Sequence, residues 1–150
     1  MRKSKTEENS KLIAYCGLYC GDCILHKGEI ADMARDLRKK LREAKFSRQA
    51  KGLSLFLKPL ANYDQCYETL GAMVRLRCKT TCRDGGGPPF CKIRACCKKN
   101  GIQGCWQCEK FETCKKLDFL KPVHGDAHIK NLGRLKRKGM KAFVTGKRDW

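Results

Sequence analysis

Cysteine is the residue in this chain that can do chemistry by number and by spacing. Twelve occur, at positions 16, 20, 23, 66, 78, 82, 91, 96, 97, 105, 108 and 114. Cys20-x-x-Cys23 and Cys105-x-x-Cys108 each let two thiolates grip one ion from a single tight turn. Cys78-x3-Cys82 is slightly wider and still suits one ion. Zinc takes four such ligands in a tetrahedron at about 2.3 Å. The spacing predicts two or more centres. One draws on Cys16, Cys20, Cys23, Cys78 and Cys82. The other draws on Cys91, Cys96 or Cys97, Cys105, Cys108 and Cys114. Each set exceeds four, so each holds a spare, shared or bridging thiol. Cys66 lies on the apolar stripe of a helical pattern and is expected to be a small buried hydrophobe, not a ligand.

Iron–sulfur is the competing chemistry. Cys16-x3-Cys20-x2-Cys23 has the spacing with which radical S-adenosylmethionine enzymes hold a [4Fe–4S] cluster. That likeness is confined to three residues, and the chain beyond Cys23 reads as helical, basic and short instead of a large α/β barrel. A plain iron–sulfur electron carrier stays open as the alternative, since three close thiolates plus a remote fourth suit a cluster. His26 stands three residues after Cys23, and His124 and His128 stand four apart. All three are expected to be incidental and not ligands. No P-loop or dinucleotide-type glycine run is present, and Asp84, Glu109 and Glu112 are expected to be surface charges. No catalytic residue emerges, so the expectation is a non-enzyme, with no identifiable small-molecule substrate.

The compartment decides between metal and disulfide. The first residues, MRKSKTEENSKLIAYCGLYC, place polar and acidic groups where a secretion signal needs an apolar core. No run approaches the ~20 apolar residues that span a bilayer. The expectation is a cytoplasmic protein without a membrane partner, where thiols stay reduced and clustered cysteines read as metal ligands. The formal net charge is +19, from 34 basic and 15 acidic residues. A four-thiolate site with a divalent ion carries −2, so two or three such sites leave the surplus standing. That surplus favours a polyanion, either nucleic acid or an acidic protein.

The elements that must position the thiols are read from periodicity. Residues 1–11 read as a flexible arm and 12–150 as a single metal-binding domain. Helical patterns over about 28–46 (Ile30, Met33, Ala34, Leu37, Leu41) and 59–77 (Leu60, Tyr63, Tyr67, Leu70, Met73, Val74) form a hairpin within about 24–77. An antiparallel hairpin would return Cys78 to the neighbourhood of Cys23. Residues 78–117 hold eight of the 12 cysteines and read as loop, with Gly85-Gly86-Gly87-Pro88-Pro89 forcing a turn. Trp106 and Phe111 are expected to form the segment's own small core, with stacking on bases as the other option. A basic helix over about 126–143 closes the chain, with Asp126 as its cap and Ile129, Leu132, Leu135, Met140 and Phe143 inward. The expected fold is small and mainly α: a helix hairpin packed on an irregular, metal-braced, zinc-knuckle-like segment, plus a C-terminal helix.

The runs CGLYCGDC, CRDGGGPPFCKIRACC and KNGIQGCWQCEKFETCKKL together resemble the cysteine-rich bacterial and archaeal family catalogued as domain of unknown function 3795, over roughly residues 13–120. The resemblance implies metal binding through Cys16, Cys20, Cys23, Cys82, Cys91, Cys96, Cys105, Cys108 and Cys114. It implies no substrate and no partner.

Overall fold

The computed structural model describes residues 9–150. The chain divides into two compact units, residues 27–78 and a discontinuous unit made of residues up to 26 together with 79–150. Of the arm expected over 1–11, residues 1–8 lie outside the described residues.

The 27–78 unit is built on three helices: α1 (Glu29–Glu43), α2 (Phe46–Leu53) and α3 (Tyr63–Val74). Glu29 and Asp32 sit in the first turn of α1 and Lys40 and Arg42 in its last, so side-chain charge complements the helix dipole at both ends. α1 and α3 run antiparallel. The Phe46 ring meets Tyr63, the Arg38 guanidinium lies 4.4 Å over the Tyr67 ring, and Arg77 bonds both Asp32 and the Gly28 carbonyl. The expected hairpin is therefore present, but two details differ. Residues 46–53 form a helix where the sequence reading had only a connection. The seam is also lined by small side chains: Ala31, Ala34 and Ala50 are buried, while Ile30, Met33 and Leu37 are exposed. On α3 the expected stripe is half-buried, and Cys66 is exposed, which corrects its reading as a core residue. Its apolar neighbours on that stripe were the signal, but the stripe itself is only half-buried.

The discontinuous unit carries the deeper core. Ile13, Ile93, Leu117 and Leu132 are almost wholly buried, with Trp106, Phe111 and Phe143 packed among them. Trp106 and Phe111 thus belong to the core and do not present their faces to bases. The segment read as loop contains α4 (Lys92–Lys99), whose N-cap is the Cys91 side chain, accepting the Arg94 N–H at 3.5 Å. Ile93 and Cys97, four apart, are its buried face. Short 3-10 turns come next, at Cys105–Gln107, Phe111–Thr113 and Lys115–Leu120. Among the described residues the only β pairing is one isolated bridge, Ile13 to Tyr19.

The last helix, α5 (Ala127–Thr145), buries His128, Leu132 and Leu135 in its first half and Phe143 and Val144 in its second. Gly139, at φ 76°, breaks the helical path between the halves. Asp126 stands at the N-cap but makes no capping bond through its side chain. α5 packs on the Cys105–Gln107 and Phe111–Thr113 turns. At Gly17, φ is 84° and a Cβ would lie 2.9 Å from the Leu132 side chain, so only glycine fits between Cys16 and this helix.

The final residues fold back onto the same unit. The fully buried Asn131 amide donates to the Asp149 carbonyl at 2.8 Å and accepts the Asp149 N–H at 3.0 Å. Arg134 pairs with the Asp149 carboxylate. Arg148 pairs with Asp22 at 2.7 Å and lies over the Tyr19 ring. Removing residues 147–150 strands the Asn131 amide and the Asp22 carboxylate. We expect a loss of about 2–4 kcal/mol, read as a lowered denaturation midpoint. An unchanged midpoint would mean the clasp contributes nothing.

Candidate metal centre

Backbone hydrogen bonds first stitch the N-terminal thiols into place. The Cys20 N–H donates to the Leu12 carbonyl at 2.7 Å, and the Cys105 N–H donates to the Tyr15 carbonyl at 2.8 Å. The second bond brings the turn of Cys16 against the turn of Cys105 and Cys108. Two arginines then fix the intervening loop. Arg83 donates from Nε to the Ile13 carbonyl at 2.6 Å and from Nη2 to the Gln103 carbonyl at 2.7 Å. Its guanidinium lies over the rings of Tyr15 and Trp106. Arg94 gathers the glycine–proline loop, donating to the carbonyls of Cys82, Gly86 and Pro88 at 2.9, 2.9 and 3.0 Å. Neither arginine has a carboxylate partner among the described residues.

This framework sorts the thiols. Cys20 Sγ accepts the Cys82 N–H at 3.4 Å and is also bonded by the Cys82 thiol. That thiol bond is the main cause that pulls Cys20 down to about 6, with His26 and Arg83 adding positive charge. Burial pushes Cys16 up to about 12, with Cys91 and Cys20 as its thiol neighbours. Cys16, Cys20, Cys82 and Cys91 are thus one connected set of four.

Five of the remaining thiols line a cavity of about 290 Å³. Cys96, Cys97, Cys105, Cys108 and Cys114 face it, with Lys116 among the other lining residues. Cys97 and Cys105 lie 3.7 Å apart, Sγ to Sγ, and share a hydrogen bond that favours the Cys97 thiolate and holds Cys105 protonated. Asn100 Nδ2 donates to Cys96 Sγ at 3.6 Å. Cys105 also feels the charge of Cys16, so the two sets adjoin.

The structure pairs the thiols differently from their spacing. Cys91, expected with the Cys105 set, is a neighbour of Cys16. The Cys23 thiol makes no hydrogen bond among the described residues. Cys78 is the last residue of the 27–78 unit. The sequence reading also missed Arg83 and Arg94. The signal for them was a glycine–proline loop with an arginine on either side.

The set Cys16, Cys20, Cys82 and Cys91 fits a soft divalent ion by its chemistry: four sulfur donors, no competing carboxylate and a cation, Arg83, beside it. Among the described residues, which include all twelve cysteines, there is no disulfide, and no three Cys, His, Asp or Glu side chains converge on one ion-sized point. The donors are in reach of one another in pairs.

The histidines divide differently. His26 lies near Cys20, and its Nδ1 is buried without a partner. His124 and His128 do not share a helix face, because Gly125, at φ 52°, separates their helices. His124 meets the Trp150 ring edge-on. His128 is fully buried, and neither ring nitrogen has a hydrogen-bond partner. Burial lowers its pKa, outweighing Asp126 and Asp118, while His124 and Lys121 act in the same direction as burial. The unfolded chain therefore takes up this proton first. The contribution of neutral His128 is complete above about pH 6.5 and is lost as pH falls below it. Melts from pH 7.5 to 5 should fall less steeply for His128→Leu than for the native chain. Parallel curves would remove His128 from the pH response.

A family model described as "Protein of unknown function (DUF3795)" matches residues 12–119. No curated protein and no solved structure matches the chain.

Proposed function

The chain belongs to the DUF3795 family, and from its own thiols we propose that it is a zinc-stabilised interaction module with a basic surface, not an enzyme. The observation that carries this is the gathering of thiols from four stretches of sequence into one unit, around arginines with no carboxylate partner. Cys16, Cys20, Cys82 and Cys91 would hold one zinc. Four of the five cavity thiols would hold a second. Zinc would supply a cross-link between segments distant in sequence, with no redox chemistry. Each four-thiolate centre would carry −2, and Arg83 stands where it balances that charge.

The basic surplus supports the interaction half of the reading. A lysine-rich exterior favours nucleic acid or an acidic protein. No helix among the described residues is long and apolar enough to cross a membrane. Clustered Cys-x-x-Cys spacing supports a cytoplasmic setting, where thiols stay reduced and serve as metal ligands.

A second reading attaches to the cavity alone. At about 290 Å³ it has room for more than one ion, and Cys108 and Cys114 line it without hydrogen bonds through their thiols. An iron–sulfur cluster there would make the protein an electron carrier.

Elemental analysis with a visible spectrum, on protein purified without oxygen and without added metal, tests both. About two zinc per chain and no colour is the expected result. Iron with matching sulfide and a broad visible band would replace it with electron transfer, and neither metal would end both readings. Cysteine variants test the sorting. Cys105→Ser should lose metal and lower the melting temperature by about 10 °C or more, whereas Cys66→Ala should stay within about 0.5 kcal/mol of the native chain. Equal melts for the two would show the sorting to be wrong.

A further inference from the structure

We propose that the face formed by α4 and the Lys115–Leu120 turn binds single-stranded nucleic acid, with lysines on the phosphates and Phe90 and Phe119 beneath bases. The inference deepens the basic-module reading above and does not depend on which metal is held. α4 and this turn pack together, burying Ile93 and Cys97 from one and Leu117 and Leu120 from the other. Asn100, which caps α4, and Lys116 line the same cavity, so the end of α4 lies beside the start of the turn. Lys92, Lys98 and Lys99 on α4, and Lys115 and Lys116 on the turn, are exposed, and none forms an ion pair among the described residues. Asp118, on the same turn, is taken by Lys121 at 2.8 Å.

Two aromatic rings stand open here, one just ahead of α4 and one on the turn. Phe90 is 93% exposed and directly precedes the cap of α4, and Phe119 is 51% exposed. Phe90 does not sit on a slack loop, because Arg94 grips the carbonyls of residues just before it. Apolar rings open to water on elements that also carry unpaired ammonium groups match a ligand that offers a flat base and a phosphate together. The α5 face is as basic, with Lys130, Lys136, Arg137, Lys138 and Lys141. The ring beneath its Lys136 is Phe111, which is buried. The aromatic pair therefore selects the α4 face. It also selects single strands over duplex, whose base faces are stacked on one another.

Anisotropy of a fluorescein-labelled 20-nucleotide oligo(dT), titrated with the full chain in 50 and 200 mM salt, tests the proposal. Binding should weaken as salt rises. Phe90→Ala should weaken it about tenfold at either salt. Lys98→Ala with Lys99→Ala should weaken it and reduce the log–log salt slope by about 1.4. Arg137→Ala with Lys138→Ala, which removes equal charge from α5, should cost less than the α4 pair, and a matched duplex should bind less tightly. Circular dichroism and zinc content of each variant establish that it is folded and loaded. No oligo(dT) binding by loaded protein would overturn the proposal and leave the metal reading intact. So would a larger loss from the α5 pair, indifference to Phe90→Ala, equal binding of duplex, or binding of poly-glutamate with the same Phe90 dependence in place of oligo(dT). Metal-free protein that binds with the expected pattern would sink the metal reading and keep this one.

Discussion

Arg83 joins what the chain's sequence keeps apart. Its two bonds tie the carbonyl of Ile13 to that of Gln103, and its flat face is covered by Tyr15 and Trp106. A carbonyl left without a donor in such a place would cost roughly 1–3 kcal/mol, so the arginine is worth most as a satisfier of backbone. The same cation is within electrostatic reach of Cys20 and Cys97. A partly buried charge needs an opposite one. No carboxylate pairs with it among the described residues, and Arg83 in turn lowers the pKa of the Cys20 and Cys97 thiols. Packing and charge balance thus converge on one guanidinium, and the two thiol sets take their positions from it.

The 27–78 unit obeys another rule. Its helices meet through alanines and tyrosine rings, and its larger aliphatic side chains stay at the surface, with Leu55 and Phe56 more than four-fifths exposed. Such a unit gains little from burial, and its ion pairs among Asp32, Arg35 and Arg77 are exposed pairs of small worth. The discontinuous unit has the fully buried aliphatic side chains, the arginine staples and most of the thiols. Stability and candidate chemistry reside in the same half of the molecule.

Sequence periodicity was a good guide where a helix presents a repeated face. The α1–α3 hairpin, the half-buried stripe of Tyr63, Tyr67 and Leu70, and the inward Leu132 and Leu135 of α5 were all legible in it. It was a poor guide where one side chain at a time sets the path. α4 is only eight residues long and opens on a cysteine cap, so it shows two apolar positions, too few to mark a period. Cys66 fell on a stripe whose neighbours are only half covered. Spacing put Cys91 with the Cys105 set, whereas the fold brings it within electrostatic reach of Cys16, after a loop whose carbonyls Arg94 holds. Cys-x-x-Cys spacing reports which thiols share a turn. It carries no information on which turns share a site.

The discontinuous unit has a consequence for the order in which the protein is made. Cys20 and Cys82 are 62 residues apart, and the whole 27–78 unit is synthesised between them. At about 5–20 residues per second, the first thiols wait roughly 3–12 s for their partner to leave the ribosome. During that interval Cys16, Cys20 and Cys23 stand together in a nascent chain with neither Arg83 nor the Cys105 turn to organise them. The helical insert is a compact unit and can form while they wait. The thiol assembly cannot begin until the insert is complete, which makes the newborn chain, more than the finished one, the state most exposed to oxidants and to stray metal.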